Sequence, residues 1–540
     1  ALPIFLTWFV TVGLMGLLNM DFNIFNIIIC TFIFGLGVDY SIFMTNGLLA
    51  ELRTGEPALN THRTSIILSV ITTVLGVGVL IFAKHPALYS ISAVSLIGIL
   101  SAVAIAFTIQ PLLFLLFIGG PKKRPFTLRV FLHSALSTTY YALGGVVLSL
   151  IGSFLVKTVP LSKKKKMGHY HGTMSKFLKS VLYSNPFVRK KVMNPSGETF
   201  APPAMIVANH TSVLDSLTIG MLHPKIIFLV NDWVYNSPVF RFTARLSEFY
   251  PVSQGIENSL PHLQRKIDQG YSLMAFPEGT RSRTNKIARW HKGAFYVAQK
   301  LHLDVLPVLI HGNSEVQPKG SVVIRDGTIT VKILKRILAS DASFGETDRE
   351  RTKKIGGHFR NAFQVFRAEI EDASYFEKDI LAEFRYKGNG IYRAVKTDFS
   401  TNKSVYRKIC DTVPKKAKIA HISSGHGQLD LLLSMDSADR KIHSYLVDQE
   451  CRKLLANSFT TQYRERITTY RFPEKVLEQK VDVLIVQSKL LNWIQKKGDI
   501  SHEIRMFIVL KGVSENDVEP LGQMGFKVTY QEKNLAIWQR

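Results

Sequence analysis

The chain has 540 residues, 67 Lys and Arg against 41 Asp and Glu, a formal net charge of +26 and three cysteines. That length calls for several domains, and Cys30, Cys410 and Cys451 alone exclude a disulfide framework or a Cys/His zinc spacing. So basic a balance suits nucleic acid or an anionic membrane face.

The chain opens at Ala1 inside the apolar run ALPIFLTWFVTVGLMGLL, with no basic region before it. A secretory signal requires one, so the chain reads as the C-terminal part of a longer protein. Stretches 1–18, 24–46, 64–83 and 89–118 are predicted to cross a bilayer, which takes about 20 residues each. Arg53, His62 and Arg63 lie between the second and third, and PKKRP (121–125) follows the fourth. Cationic loops favour the cytoplasmic side, so everything beyond is expected in the cytosol. Membrane lipids, not nucleic acid, then account for the charge. The run KKKK (163–166) reads as a contact with anionic lipid, worth about 1 kcal/mol per Lys. The apolar stretch 130–156 has Gly144 and Gly145 near its middle. A full crossing would put the next domain outside, so a hairpin dipping into one leaflet is predicted there.

Within the second span lies GLGVDYSIFM, residues 35–44. An ionised Asp in mid-membrane costs at least about 2.5–3.5 kcal/mol and marks an ion or proton path, unless it sits hydrated near a helix end. Asp39 beside Tyr40, with Gly35 and Gly37 permitting close helix approach, resembles the proton-relay helix of the resistance-nodulation-division (RND) transporters, more narrowly their MMPL lipid-exporter branch. The resemblance covers residues 1–118. It implies the last four helices of a transporter whose missing N-terminal half would be a partner.

An aqueous pattern follows the lysine run. NHTSVLD (209–215) comes directly after the strand-like AMIVA (204–208). His210 and Asp215 can meet if the His lies in the turn and the Asp in the first helical turn. A His beside a carboxylate is a base with its orienting partner. Ser212 to Asp215 also reads as a capping box, which would leave the pair a mere helix start. A second stretch, YSLMAFPEGTRSR (271–283), is an apolar strand that ends in Glu278, Gly279, Thr280 and Arg281. Gly permits a tight turn there, and an Arg fork suits phosphate or carboxylate.

Together the two stretches resemble the glycerolipid acyltransferases, specifically the 1-acylglycerol-3-phosphate (PlsC-like) group. Asn209, His210 and Asp215 match its NH-x4-D block, FPEGTRS (276–282) its third block, and VLPVLIHG (305–312) its proline-containing strand. RWHKGAF (289–295) is similar to a further basic segment, and the resemblance spans about 169–340. It implies transfer of an acyl group from acyl-CoA or acyl carrier protein to a lysolipid hydroxyl, with no metal. His210 would be the general base, Asp215 its orienting partner, and Glu278, Gly279, Thr280 and Arg281 the acceptor-binding turn. One departure stands out: EFYPVSQG (248–255) has Gln254 where the family's second block usually ends in Arg. The acceptor head group then differs from a phosphate, or Arg241, Arg245 or Lys292 supplies the charge.

Residues 341–378 read as an amphipathic helix and linker. Beyond them strands and helices alternate, as in a doubly wound sheet. KIAHISSGHGQLDLLL (418–433) is strand, glycine turn, helix, and IHSYLVD (442–448) a second strand ending in an acid. Residues 481–491 and 505–512 and a closing pair supply more strands. The order resembles a class I S-adenosylmethionine-dependent methyltransferase, with Gly425, Gly427 and Asp448 as the implied cofactor-binding residues. His421 and Ser423 depart from that pattern, where an acid and a glycine are usual.

The expected protein is therefore multidomain. Residues 1–120 form a partial RND/MMPL-type α-helical transmembrane bundle, and 121–168 a membrane-anchoring hairpin and basic linker. Residues 169–345 form an α/β glycerolipid acyltransferase domain, 346–384 a helical linker, and 385–540 a Rossmann-like α/β methyltransferase-type domain. The order resembles fused lipid-handling proteins of some bacteria, which implies a multi-pass inner-membrane protein with cytosolic enzyme domains. The rival reading makes the soluble domains a degenerate, non-catalytic regulatory tail of a lipid exporter.

Overall fold

The structure, a computed structural model, describes residues 2–118, 124–237, 241–251, 256–284, 286–491, 503–510, 521–522, 524–532 and 534–540. They divide into two compact units, Ala1–Phe126 with Ala373–Arg540, and Thr127–Asp372.

The first unit opens with helices α1 (Leu2–Leu17), α2 (Ile24–Thr54), α3 (Leu59–Gly78), α4 (Pro86–Phe107) and α5 (Ile109–Phe117). Helices long and apolar enough to cross a membrane run over Ile27–Thr54, Leu59–Phe82 and Pro86–Phe117, the last spanning α4 and α5. Over the expected span 1–18 the described helix α1 covers Leu2–Leu17, 16 residues of apolar sequence. The span over 89–118 is interrupted at Thr108 (φ −112°, ψ −67°). Pro111 explains the break, since it has no N–H for the carbonyl four residues earlier. Close helix approach falls elsewhere than at Gly35, which has nothing near it. A Cβ on Gly98 of α4 would lie 2.5 Å from Ile33, so that glycine admits α2, while Gly37 faces Ala102 at 3.9 Å. Tyr40 is buried in this bundle and Asp39 is on its exposed side.

The second unit begins with α6 (Leu128–Thr158), also apolar and long enough to span, and α7 (Lys163–Tyr183). The hairpin expected at Gly144 and Gly145 is not there. Helix α6 runs through both glycines, and the chain reverses between α6 and α7 instead. The two helices lie antiparallel: Ser137 Oγ meets Ser184 Oγ at 3.0 Å and Tyr140 Oη meets Ser180 Oγ at 2.7 Å. The glycine faces this partner: a Cβ on Gly144 would stand 2.6 Å from the Phe177 ring. A glycine costs a helix about 1 kcal/mol relative to Ala, which is too little to break 31 residues. The lysines 163–166 form the first turn of α7.

The rest of this unit is an α/β domain. Its elements are β1 (Val188–Met193), β2 (Ala204–Ala208), α8 (Leu214–Gly220), β3 (Ile226–Val230), α9 (Asp232–Asn236), α10 (Arg241–Leu246), β4 (Tyr250–Pro251), α11 (Ile256–Asp268), β5 (Ser272–Ala275), α12 (Gly293–Lys300), β6 (Asp304–His311), α13 (Asn313–Val316), β7 (Gly327–Ile333) and α14 (Asp348–Ile370). The sheet order is β1-β7-β6-β2-β5-β3-β4, with β6 and β7 antiparallel and the other pairs parallel. Strand β2 is buried on both faces, with Met205 and Val207 in one core and Ala204, Ile206 and Ala208 in the other. Such continuous apolar strands are what a covered parallel sheet demands. Pro307 is tolerated inside β6 because the β7 ladder is irregular beside it: Leu334 N donates to Pro307 O (3.0 Å) and Val305 pairs with Ile337. Helix α14 is no linker. Ile355, Phe359, Phe363 and Phe366 lie on one helical face and are buried in this domain's core.

Residues 373–540 carry α15 (Glu377–Phe384), α16 (Asn389–Thr412), β8 (Lys418–Ser423), α17 (Gln428–Asp436), β9 (Lys441–Leu446), α18 (Gln449–Ala456), α19 (Phe459–Arg464), β10 (Ile467–Thr469), α20 (Glu474–Leu477), β11 (Val483–Gln487), β12 (Met506–Leu510), β13 (Lys527–Glu532) and β14 (Leu535–Gln539). Helix α15 packs here, through Ile380 and Phe384, so the expected linker over 346–384 is shared between two cores. The sheet order is β10-β9-β8-β11-β12-β14-β13, parallel through β12 and antiparallel in the last pairs. The chain therefore contains a Rossmann-like sheet, with its switch point between β8 and β11.

Candidate active site

Strands β6, β2 and β5 lie side by side and parallel, so the loops leaving their C-terminal ends converge. That edge is where open α/β sheets place ligands. Asn209 at the end of β2 is buried and fastens this edge: its Nδ2 donates to Ile310 O (2.8 Å) and its Oδ1 accepts from Ile310 N (2.9 Å).

The next residue is His210. Its Nδ1 donates to Asp215 Oδ2 at 2.9 Å, with the His side chain 18% exposed and the Asp fully buried. The carboxylate is held on all sides. Oδ2 also accepts from the backbone N–H of Thr211 (2.6 Å) and Ser212 (2.8 Å), and Oδ1 accepts from Asn313 Nδ2 (2.6 Å). The capping box forms in half. Asp215 takes the Ser212 N–H, but Ser212 Oγ accepts from Leu214 N (3.2 Å) and α8 begins at Leu214 without a side-chain cap. The His210 ring stacks on Phe276, centroids 4.0 Å apart and planes 12° apart. Nδ1 faces Asp215, so Nε2 is the nitrogen left for a substrate.

Glu278 holds the backbone of this loop. Its Oε1 accepts from His210 N and its Oε2 from Ala288 N, each at 2.8 Å. Burial pushes its carboxyl above the usual range, while those two N–H donors pull it back. The side chain therefore ties the loop after β5 to the loop after β2. Ser282 N donates to His210 O (2.7 Å), completing the tie. Gly279 has φ +68°, and a Cβ there would crowd His291 at 3.2 Å, so the turn needs its glycine. Thr280 is exposed, and Arg281 is half-buried with no side-chain partner among the described residues.

Residues 281–292 contain Arg281, Arg283, Lys286, Arg289 and Lys292 and no acid. Lys319 Nζ joins them, donating to Arg281 O at 2.7 Å and Thr280 Oγ1 at 3.3 Å. Lys292, at the start of α12, has its ammonium 3.6 Å from the Asp348 carboxylate. Gln254 lies outside the described residues. Arg245 is over the Tyr235 ring, 5.4 Å from its centroid. Sequence reasoning missed Asn313, Phe276 and Lys319. Asn313 follows Gly312 (φ +90°), where a Cβ would collide with Thr328 O at 1.8 Å.

A second glycine turn lies at the switch point of the other sheet, between β8 and α17. Its amides are occupied by the turn's own neighbours. Ser424 N donates to Gln487 Oε1 (3.0 Å), Gly425 N to Ser423 Oγ (2.9 Å) and His426 N to Gln428 Oε1 (3.1 Å). Gly427 has φ +87° and packs against Leu455, which a Cβ would meet at 3.0 Å. Asp448 caps α18, accepting from Cys451 N at 2.8 Å. His421 is buried against Asp430 (2.9 Å) and presents no acid to the turn. A cofactor carboxylate or phosphate at this turn would have to displace those side chains from the amides. Calorimetric titration of the whole chain with S-adenosylmethionine is expected to give no saturable heat. Saturable binding at micromolar ligand would mean that the side chains vacate the turn. Among the described residues no group of three His, Cys, Asp or Glu could hold a metal ion.

Residues 187–311 match the Acyltransferase protein family. The chain is 29% identical over 208 residues to a chloroplastic 1-acyl-sn-glycerol-3-phosphate acyltransferase of Arabidopsis thaliana, across 36% of this chain and 56% of the relative. A Brassica napus chloroplastic enzyme of the same description is 30% identical, across 27% and 44%. The chain thus spans about half the length of the curated relatives it matches. Among solved structures, the 1-acyl-sn-glycerophosphate acyltransferase PlsC of Thermotoga maritima aligns at a TM-score of 0.38 and 22% identity, over 45% of this chain and 96% of that one.

Proposed function

We propose that this chain, which carries an acyltransferase-family domain over residues 187–311, moves a fatty acyl group from a thioester to the free hydroxyl of a lysophosphatidate-type lipid. The observation that carries the reading is His210, held at Nδ1 by a buried, fully hydrogen-bonded Asp215 and without a hydrogen-bond partner at Nε2 among the described residues.

In the proposed reaction His210 Nε2 takes the proton of the acceptor hydroxyl as its oxygen attacks the thioester carbonyl. Asp215 stabilises the imidazolium that forms. The tetrahedral intermediate collapses, the C–S bond breaks, and the departing sulfur takes the proton back from Nε2. An ester and a free thiol result, with no metal and no covalent enzyme intermediate. Acyl-CoA and acyl carrier protein thioesters are both suitable donors. The cationic loop 281–292 with Lys319 would hold the acceptor's anionic head, and Glu278 would act one step back by fixing the His210 backbone. The relatives named for acylglycerol-phosphate acylation support a phosphate head despite Gln254.

The apolar helices make a membrane the natural home of such a substrate, and we place the site on the cytosolic side of a bacterial inner membrane, which requires α6 to seat in one leaflet beside α7 and not to cross. For α1–α5 we keep the reading as the end of an RND/MMPL-type transporter, with Asp39 and Tyr40 as its proton relay. The regulatory-tail alternative gives no reason for a buried, hydrogen-bonded His–Asp pair beside a cationic loop.

The test is to offer the solubilised chain labelled acyl thioesters and a panel of lysolipids with phosphate and non-phosphate heads. Label is expected in the lysophosphatidate product. Transfer to non-phosphate heads alone would reassign the acceptor, and no transfer from a folded chain would remove the reading.

A further inference from the structure

Side chains take up the amides of the glycine turn in the Rossmann-like domain, and its other surfaces bear on the helices of the same compact unit. One of them meets the Arg53 end of α2, the helix that carries Asp39. Helix ends leave carbonyls without an intrahelical partner, and Asn457 Nδ2 donates to one of these, Leu52 O, at 2.6 Å. The chain turns at Gly55 (φ +74°), where a Cβ would stand 3.3 Å from Asn457 Cγ. Around this contact the charges cross. Arg53 pairs with Glu450, and Glu56 Oε1 meets Lys453 Nζ at 2.7 Å. Both partners on the domain side belong to α18. A base facing an acid and an acid facing a base, side by side, fix one register and penalise a slipped one.

The seat beneath α18 is also specific. Lys387 Nζ is buried and donates to Leu454 O (2.7 Å) and Asn457 O (3.3 Å), tying the end of α18 to the turn before α16. A second attachment comes from Arg124, the described part of the cationic tail after α5. It is buried, pairs with Asp379, approaches Glu383 at 3.4 Å and lies over the Phe459 ring. Glu383 in turn accepts from Phe459 N (2.9 Å) and Thr460 Oγ1 (2.8 Å).

We infer that the C-terminal α/β domain is a docking module whose partner is the membrane bundle, and that through α18 it braces the end of the Asp39-bearing helix α2. The brace needs no bound cofactor.

Zero-length carbodiimide coupling of the full chain in detergent tests the contact directly, because it joins only touching carboxylates and amines. A Glu56–Lys453 amide is expected by mass spectrometry. Arg53→Glu should lower its yield and raise amide exchange over residues 47–54 by about three- to tenfold, as repulsion from Glu450 replaces one modest ion-pair gain. Arg53→Glu with Glu450→Arg should restore both, which a merely misfolded variant would not do. Absence of the Glu56–Lys453 amide in the wild-type chain would overturn the inference. So would unchanged exchange in Arg53→Glu.

Discussion

Asp215→Asn is expected to lower kcat for acyl transfer by about 10²–10⁴ and to leave the fold in place. The geometry separates the two effects. An Asn amide oxygen in the position of Oδ2 can still accept from Thr211 N, Ser212 N and His210 Nδ1, the three donors that converge there. Its amide nitrogen would face Asn313 Nδ2, donor against donor. Asn313 can answer by turning its own amide, since its Oδ1 is buried without a hydrogen-bond partner. What cannot be replaced is the negative charge beside the imidazolium at the moment the acceptor hydroxyl loses its proton. Asp215→Ala is the contrasting variant, because it strands buried N–H groups at about 1–3 kcal/mol each. Steady-state kinetics with thermal melting tests this. A large loss of kcat with an unshifted melting temperature is the expected pair of results. Near-wild-type kcat in Asp215→Asn would reduce the carboxylate to a loop staple.

The site was legible where its chemistry is written locally. NHTSVLD and FPEGTRS each hold a strand end, a turn and a polar group within a few residues, and the structure brings His210, Asp215 and Glu278 to one edge through adjacent parallel strands. Asn313 was not legible, because its partner Asp215 is 98 positions away and only the β6–β2 pairing unites them. Glycines act through neighbours that the sequence does not show. Gly144 and Gly145 read as a break, yet one serves to admit Phe177 of a neighbouring helix. Gly425 and Gly427 read as a cofactor grip, yet Ser423, Gln428 and Gln487 already occupy the amides around them. In both cases the residue that decides the matter is distant in sequence or unremarkable by type. Helix α14 was read as a linker for the opposite reason. Its charged face dominates the sequence, and the four large apolar residues of its inner face become decisive only with a core to receive them. Strand β10, with three residues, is too short for its period to register.

His210→Ala is the second large effect expected, also about 10²–10⁴ in rate, the usual worth of a general base. The loop should survive this change better than most. The His210 backbone is fixed independently of its ring, with its N–H on Glu278 Oε1 (2.8 Å) and its carbonyl accepting from Ser282 N (2.7 Å). The ring's other contact is a face-to-face stack on Phe276 at an open edge. Truncation there exposes a phenyl face to solvent without opening a closed cavity. The Asp215 carboxylate keeps its other three donors, so it is not left bare.

The most direct measurement is therefore the single-turnover rate of labelled acyl transfer from a thioester to lysophosphatidate by the full chain, with wild type and His210→Ala compared at saturating donor. A fall of about 10²–10⁴ with donor binding retained is what a base at Nε2 predicts. A His210→Ala rate within about threefold of wild type, far short of a base's usual worth, would contradict it and leave the His–Asp pair as the start of a helix.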